Sequence, residues 1–261
     1  MAATDSKPTL INRVVGTTLG TVFAPVFGVA SFIRRKRAVH PYGGGYEVSI
    51  IVTDPLPSLA GTALGRVDSF RGIVRLSHGF GRRSGKDDVR GFALRILDHD
   101  GLFKQDIVMM TTFTWRGGRQ IMTMPGTYIT RYSSVLPLVA PQGPLVFTCL
   151  PMEAGAADQY FDRGHAVGFR FQLSAGKPHE TWYPCADIVL ERALTAEECE
   201  NLRFNPGNAD LGLSPISTIS LIRRIVYPVS QLGRGVWSDR PRTQTSTVEP
   251  ISEPTVTASS R

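Results

Sequence analysis

Two residues near the end of the chain have the types and spacing of a metal-ligand pair. Arg223 and Tyr227 stand four positions apart, so they share one face of a helix. A free tyrosine has a pKa near ~10, and both a neighbouring guanidinium and a ferric ion favour its phenolate form. Tyrosinate is an established axial ligand of haem iron. Taken alone, such a pair is more often a packed surface contact, so the interpretation needs support from the rest of the chain.

Support comes from segments that precede this pair in a fixed order. They are Arg37–His40, Gly43–Val48, Val74–Ser77, Asp88–Ala93 and Phe204–Pro206. With Arg223–Tyr227 at the end of the series, the chain resembles the haem catalase superfamily over about residues 35–235. Its length is similar to that of the minimal catalase-related peroxidase and allene-oxide-synthase-like branch. The run that begins at Tyr227 also resembles the sequence that follows the iron ligand in that branch.

The resemblance implies a haem b cofactor and assigns residues to both sides of its iron. Tyr227 would be the proximal iron ligand, and Arg223 would hold it as phenolate. His40 would stand over the opposite haem face, where a neutral imidazole takes a proton from peroxide and returns it to the departing oxygen. Ser77 would hydrogen-bond His40 and fix its tautomer.

The resemblance also implies contacts to the edge of the haem. One residue on the peroxide-binding side differs from the family pattern. Arg37 and Arg75 would pair with the propionates, and Val39 would pack on the porphyrin. The distal asparagine of the family aligns with Met110, whose thioether cannot donate a hydrogen bond to peroxide. A slip of one position would place the Thr111 hydroxyl there instead. A methionine lining suits a bulkier, apolar substrate such as a fatty-acid hydroperoxide.

Composition excludes several broad classes of protein. The 261 residues carry 29 basic and 22 acidic side chains, a formal charge of +7, and 42% are apolar, which excludes wholesale disorder. No recognition-helix, RNP or zinc-finger pattern accompanies the positive charge, so we expect no nucleic-acid partner. Gly43–Gly45 is not a dinucleotide fingerprint, because a strand follows it rather than a helix.

The cysteines and the remaining histidines give no sign of catalysis. The three cysteines contain no CxxC pair, which excludes a disulfide-dense scaffold and favours a reduced, cytoplasmic compartment. We interpret them as core fillers; they are Cys149, Cys185 and Cys199. The histidines other than His40 lack metal-ligand spacing and are predicted to be polar surface residues; they are His78, His99, His165 and His179.

An uncharged stretch near the N-terminus suggests contact with a membrane surface. Residues 14–33 contain no charged side chain and are followed by the basic run Arg34–Arg37. Gly and Pro25 interrupt the stretch, which argues against a simple transmembrane helix. We predict a helix that lies in a membrane interface through residues 9–37, peripheral at the inner membrane face, or that packs on protein.

The pattern of the middle of the chain predicts a β-rich fold. Strands are expected over residues 46–52, 72–77, 91–97, 107–113, 145–150, 167–173 and 186–190. A capping box at Thr195–Glu198 starts a short helix through Leu202, and residues 216–232 are predicted to be helical with a kink at Pro228. The fold class is α+β, a catalase-like antiparallel β-barrel with flanking helices and a short C-terminal helical end.

The domain organisation follows from these segments. We predict an N-terminal arm over residues 1–36, a catalase-like haem domain over 37–237 and a disordered tail over 238–261. The expected activity is cleavage of a peroxide O–O bond by a homo-oligomeric haem enzyme. Two alternatives stay open: a haem- or lipid-binding protein of this fold that has lost turnover, and a fold without haem that does unrelated hydrolytic chemistry.

Overall fold

The protein is seen in a computed structural model that describes residues 43–79, 86–114, 120–125, 127–134, 137–153, 158–205 and 207–215. Within these ranges the strands are β1 (Gly45–Val52), β2 (Ser69–His78), β3 (Arg90–Leu97), β4 (Lys104–Thr114), β5 (Gln120–Met122), β6 (Tyr132–Ser133), β7 (Leu138–Ala140), β8 (Gly143–Pro151), β9 (Arg170–Gly176), β10 (Tyr183–Ala193) and β11 (Ser214–Pro215). The helices are α1 (Asp158–Asp162) and α2 (Ala196–Asn201), and Pro57–Leu59 and Ala63–Gly65 form 3-10 turns.

Eight of these strands close into an antiparallel barrel. Around the ring the order is β8, β6, β4, β3, β2, β1, β10 and β9, and β9 pairs back with β8. Strand β5 pairs with the end of β4, β7 with β8 and β11 with β7, outside the ring. Closure leaves none of the eight ring strands with a free edge, which removes a common route to aggregation. The predicted barrel is therefore confirmed.

The interior of the barrel is the main hydrophobic core. Alternate residues of each strand point inward, so that Val74, Leu94 and Ile107 stand side by side on β2, β3 and β4 and are fully buried. Aromatic rings fill the centre, with Phe92 against Tyr132 and Phe171 at ring-centre distances of 5.2 and 5.1 Å. Each such side chain contributes about 1.5–3 kcal/mol by leaving water. The core thus fixes which face of each strand points outward.

The predicted strands are confirmed, with one shift in position. The prediction of 167–173 covers a strand that begins at Arg170 and ends at Gly176. Gly168 has a φ of +84° and its amide donates to the Leu190 carbonyl, so the chain turns there before it extends. The strands missed by the sequence pattern are β5, β6, β7 and β11, which have only two or three residues each, too few to show an alternation.

Of the two helices in the described ranges, one was predicted and one was not. The capping box at α2 is confirmed, since the Glu198 amide donates to the Thr195 hydroxyl and the Thr195 amide donates to the Glu198 carboxylate. Helix α1 was not expected, because its five residues lack a helical apolar period. The predicted helices over 14–33 and 216–232 and the tail over 238–261 lie outside the described residues, as do both predicted domain boundaries. No helix in the described ranges is long and apolar enough to cross a membrane.

Candidate functional site

Four of the predicted site residues lie in the described part of the chain. They are Arg75 and Ser77 on β2, and Met110 and Thr111 on β4. The other five fall in ranges that the structure does not describe; they are Arg37, Val39, His40, Arg223 and Tyr227. The structure therefore describes only one wall of the predicted site, the part formed by β2 and β4.

Strand β2 presents Arg75 and Ser77 on its outer face. Val74 and Leu76 point into the core, and the strand alternates, so the intervening residues point outward. Both are nevertheless buried, with 6% of Arg75 and 4% of Ser77 exposed. A buried guanidinium on the outside of a barrel marks a face that is covered and polar rather than one open to water.

Strand register places Met110 in the same row as Ser77. Ser77 stands opposite Gly91 on β3, and Gly91 stands opposite Met110 on β4. Residues directly opposite one another point to the same face, and two strand spacings amount to about 10 Å. The residues between are small, with Gly91 beside Ser77 and Ala93 beside Arg75. This wall therefore carries a guanidinium, a hydroxyl and a thioether around two small residues.

Thr111 belongs to the opposite face of β4. It stands across from Tyr132, which points into the core, and is fully buried. Its hydroxyl donates to the Thr123 carbonyl at 2.7 Å and accepts from the Arg90 amide at 3.1 Å. The hydroxyl of Thr111 thus faces away from Ser77, and Met110 is the residue of this pair that shares the Ser77 face.

The same row continues beyond Met110 as a series of hydroxyl groups. Met110 stands opposite Ser133, Ser133 opposite Thr148, and Thr148 opposite Ser174. These three hydroxyl residues are at least nine-tenths buried. No spacing in the sequence connects positions so far apart, so only strand pairing could reveal them.

A glycine segment carries the chain against the Ser77 end of this wall. The Gly44 carbonyl accepts from the Leu76 amide at 2.9 Å. A side chain at Gly43 would come within 1.9 Å of the Leu76 carbonyl oxygen and 2.6 Å of the Ser77 Cα atom. Such close approach, with a φ of +142° at Gly43, requires glycine. The position from which the chain leads back to His40 is thereby fixed beside Ser77.

The Phe204 segment is fixed at the other end of β3. Arg95 makes a two-pronged ion pair with Asp106, with nitrogen–oxygen distances of 2.7 and 2.8 Å. Asp106 also accepts from the Asn205 amide at 2.7 Å and from the Asn208 side chain at 2.8 Å. The Arg95 guanidinium lies over the Phe204 ring at 5.2 Å. This cluster anchors the loop that precedes the predicted ligand helix.

His78 is the clearest correction to the sequence interpretation. It was predicted to lie on the surface, but only 1% of it is exposed, because β2 alternates and position 78 points inward. Its Nδ1 atom lies 2.8 Å from Arg90 Nη1 and its Nε2 atom lies 3.0 Å from Asp162 Oδ2. Since a guanidinium only donates, Nδ1 must accept, and the proton sits on Nε2, which donates to the carboxylate.

Tyr128 completes this buried group. We term His78, Arg90, Asp162 and Tyr128 the His78 cluster. The Tyr128 hydroxyl donates to Asp162 at 3.0 Å, and the Arg90 guanidinium lies 5.2 Å from the centre of the Tyr128 ring. Burial, together with the nearby Asp162 charge, raises the pKa of Tyr128 well above its usual range. Tyr128 is therefore a neutral donor and not a phenolate ligand.

Two buried cysteines and three exposed histidines are the next titratable groups of the described ranges. Burial raises the pKa of the Cys149 thiol, and raises that of Cys185 to about 12, so both are core fillers and poor nucleophiles, as predicted. His99 is exposed and lies 3.3 Å from Asp68, while His165 and His179 are exposed. In the described ranges no three His, Cys, Asp or Glu side chains are grouped to hold a metal ion.

The described wall fits an anionic group. Arg75 supplies a buried guanidinium that suits a carboxylate, and the small residues Gly91 and Ala93 stand on the neighbouring strand. Ser77 adds a hydroxyl one step along the strand. These are the groups that the haem interpretation requires of β2 and β3.

Comparison with solved structures agrees with the barrel. The fold is similar to that of a fungal catalase, whose crystal structure was determined at 1.9 Å, with a TM-score of 0.60 and 14% sequence identity. The alignment covers 78% of this chain and 61% of the fungal catalase, so the chain spans about three fifths of the length of that protein. By sequence, no family model and no curated protein matches. The closed barrel and this likeness together define a protein with a catalase-like fold.

Proposed function

We propose that the protein binds haem b and cleaves the O–O bond of organic or lipid hydroperoxides, without efficient dismutation of hydrogen peroxide. The observation that carries the proposal is the shared face of Arg75, Ser77 and Met110 on the outside of a catalase-like barrel. A fold alone does not specify an activity, so the proposal depends on these side chains.

Each described side chain has a role in this chemistry. Haem, when bound, would supply an iron centre that accepts a peroxide oxygen. Arg75 would pair with a propionate and orient the ring. Ser77 would hydrogen-bond His40, which stands three residues before Gly43, a reach of at most about 11 Å. His40 would then move the proton between the two peroxide oxygens.

Met110 supports the choice of substrate. By the sequence resemblance it takes the position of the distal asparagine, whose amide would hold hydrogen peroxide, and a thioether gives that small molecule no hydrogen bond. The same side chain is flexible and apolar, so it packs well against the alkyl part of an organic hydroperoxide. We expect Met110→Asn to raise hydrogen peroxide turnover and to lower turnover of a fatty-acid hydroperoxide.

The iron ligand is tested by optical spectroscopy of the haem-reconstituted protein. Tyr227→Phe should alter the Soret band, since a phenolate ligand is lost. Tyr183→Phe is a matched control, because Tyr183 is a tyrosine of β10 that is 57% exposed. A spectrum unchanged by Tyr227→Phe would exclude this residue as the ligand.

A second candidate function is a haem- or lipid-binding protein without turnover, and Met110 favours it as well. Steady-state assays with hydrogen peroxide and with a fatty-acid hydroperoxide separate the two. An enzyme exceeds free haem with at least one substrate, whereas a binding protein exceeds it with neither.

We also propose a homo-oligomer with peripheral membrane contact through residues 9–37 on the cytoplasmic face. The uncharged stretch over 14–33 and the basic run Arg34–Arg37 support this contact. Removal of residues 1–30 should weaken binding to anionic vesicles, and light scattering of the full chain gives the oligomer size.

A further inference from the structure

Three tyrosines of the described ranges are fully buried, and their hydroxyls donate to different kinds of acceptor. Tyr46 donates to the Phe161 carbonyl at 2.6 Å. Tyr132 donates to the Tyr128 carbonyl at 2.9 Å. Tyr128 itself donates to the carboxylate of Asp162 at 3.0 Å. A carboxylate takes up a proton at ordinary pH, whereas a backbone carbonyl only accepts a hydrogen bond, so Tyr128 has a base at its hydroxyl.

A base at this position matters when a tyrosine loses an electron. A phenol that has lost an electron is a far stronger acid than the phenol itself, so its proton leaves to a nearby base. The Asp162 carboxylate is close enough for direct proton transfer from Tyr128. Burial and the Asp162 charge raise the pKa of Tyr128 well above its usual range, so the side chain starts as a protonated phenol. The proton therefore leaves together with the electron and not before it.

The other members of the His78 cluster direct this proton to Asp162. The Arg90 guanidinium lies 5.2 Å from the centre of the Tyr128 ring, where a cation opposes positive charge on the ring. Loss of an electron without the proton is thereby disfavoured. His78 does not replace Asp162 as the base, because its Nδ1 atom accepts from Arg90 and its Nε2 atom donates to Asp162.

Asp162 is also the member of the cluster that reaches water. Its side chain is 24% exposed, whereas the side chains of His78 and Arg90 are 2% and 0% exposed. A proton held by Asp162 can therefore exchange with solvent. The Tyr128 ring is fully buried, so a radical formed on it is shielded from other molecules.

The Tyr128 ring lies directly behind the candidate site. His78 follows Ser77 on β2 and points to the opposite face of that strand. The His78 ring stands edge-on to the Tyr128 ring, with 5.2 Å between the ring centres. One strand and one imidazole therefore separate Tyr128 from the wall that carries Ser77.

We propose that Tyr128 is a redox-active tyrosine, which gives up one electron while its hydroxyl proton passes to Asp162. The Tyr128 O–H bond breaks, an O–H bond forms on the Asp162 carboxylate, and a neutral phenoxyl radical is left on Tyr128. The electron passes to a one-electron oxidant, which in peroxide turnover is the iron centre of the proposed function after it has accepted a peroxide oxygen. A one-electron donor from solution, such as a phenol or ascorbate, then restores the electron, and Asp162 returns the proton.

The site is tested on the full-length chain by photo-oxidation, before any peroxide is added. A photoexcited ruthenium trisbipyridyl complex with persulfate removes single electrons, and electron paramagnetic resonance of freeze-quenched samples identifies the radical. Tyr160 and Tyr183 are 49% and 57% exposed, so both are changed to Phe in the background to remove radicals made there. We expect a neutral tyrosyl radical that is lost in Tyr128→Phe and retained in Tyr132→Phe.

Tyr132→Phe is the matched control, because Tyr132 is equally buried and donates to a carbonyl. An undiminished radical signal in Tyr128→Phe overturns the proposal. An equal loss in the two variants overturns it as well, because burial and not the carboxylate would then decide which tyrosine is oxidised.

The role of Asp162 as the base is tested by Asp162→Asn. The amide oxygen still accepts from the Tyr128 hydroxyl but takes up no proton. We expect radical formation, followed by transient absorption, to slow about a hundredfold, a usual contribution of a positioned base. Asp100→Asn, at an exposed turn, should leave the rate unchanged. An unchanged rate in Asp162→Asn, with its fold checked by circular dichroism, overturns the proposal. Tyr128→Phe, which removes one oxygen atom, provides the test if Asp162→Asn does not fold.

The link to peroxide turnover rests on the proposed function and has its own test. Haem-reconstituted protein mixed with cumene hydroperoxide should show the same tyrosyl radical, and Tyr128→Phe should lack it. If the hydroperoxide is turned over without this radical, the link is overturned and the haem function stands. If Tyr227→Phe leaves the Soret band unchanged and no hydroperoxide is consumed, the proposed function fails, while photo-oxidation decides the redox activity of Tyr128 without it.

Discussion

The two arginines of β3 are both held inside the protein, yet they are neutralised in different ways. Arg95 lies at one end of the strand and pairs through two nitrogens with the carboxylate of Asp106. Arg90 lies at the other end, fully buried, where its partners include the ring of His78 and the Lys86 carbonyl. It also pairs with the Asp88 carboxylate at 3.9 Å, a longer distance than in the Arg95 pair. Arg95 is therefore stabilised mainly by one direct ion pair, whereas Arg90 is stabilised by several contacts within and beside the His78 cluster.

Loss of the Asp106 carboxylate should have the largest effect. Asp106→Ala strips Arg95 of its charge partner and leaves the Asn205 amide and the Asn208 side chain without their acceptor. We expect the free energy of unfolding to fall by about 3–5 kcal/mol, the usual result of breaking a buried ion pair from one side. Urea denaturation followed by circular dichroism measures it. Asp100→Ala, at an exposed turn, is the control and should change little.

Loss of His78 should have a smaller effect, because Arg90 has other contacts within and beside the His78 cluster. His78→Ala removes one acceptor from Arg90 and one donor from Asp162. We expect a loss of about 1–3 kcal/mol in the same denaturation experiment. His99→Ala, which removes an exposed partner of Asp68, should cost less than about 1 kcal/mol. If His78→Ala matched or exceeded Asp106→Ala, the proposed difference between the two arginines would be wrong.

A finer test concerns the hydroxyl of Tyr128. Tyr128→Phe keeps the ring beneath Arg90 and removes the hydrogen bond to Asp162. The expected loss is about 0.5–1.5 kcal/mol, the ordinary net worth of one hydrogen bond. Thermal unfolding is the measurement, and Tyr183→Phe, at an exposed position, should leave the midpoint unchanged.

The smallest effect is expected at an exposed ion pair, in which Arg192 donates to both Glu47 and Glu198. Arg192, with help from the Thr195 amide, lowers the pKa of Glu198 from 4.5 to about 2. Because the folded-state pKa is depressed, this stabilisation is present above about pH 4.5 and is lost as the pH falls towards 2. The stabilisation from this pair is modest, because both side chains are exposed to solvent.

Glu198→Gln should therefore flatten the acid limb of the stability curve slightly. Denaturation midpoints at several pH values between 2 and 6 give the measurement. Glu180→Gln is the comparison, because Glu180 lies in a looser exposed pair with Lys177 at 4.0 Å. An identical acid response in the two variants would show that Arg192 does not stabilise the Glu198 carboxylate.

Much of the barrel was predictable from the sequence because its long strands alternate. The alternation of residues 72–77 predicted a strand, and the structure contains it as part of β2, with Arg75 and Ser77 on one face. The short strands were not predictable, because two or three residues carry no period. His78 was misjudged for a related reason: the end of a strand and the start of a surface turn look alike in sequence.

The candidate site was also predictable only in part. The order of the motifs singled out positions 75, 77 and 110, and Ser77 and Met110 lie in one row of the folded barrel. The choice between Met110 and Thr111 could not be made in sequence, since neighbouring residues of a strand point to opposite faces and a slip of one exchanges them. Tertiary pairing with β3 and β6 shows that Met110, and not Thr111, shares the face of Ser77.

The sequence by itself determined the long strands and the capping box, because these depend on interactions within a few residues. Only the tertiary structure decided which face each strand turns outward and where the hydroxyls beyond Met110 lie. It also decided that His78 and Arg90 meet inside the protein. Those features arise from pairing between strands distant in the chain, where closure of the barrel and burial of its core set the register.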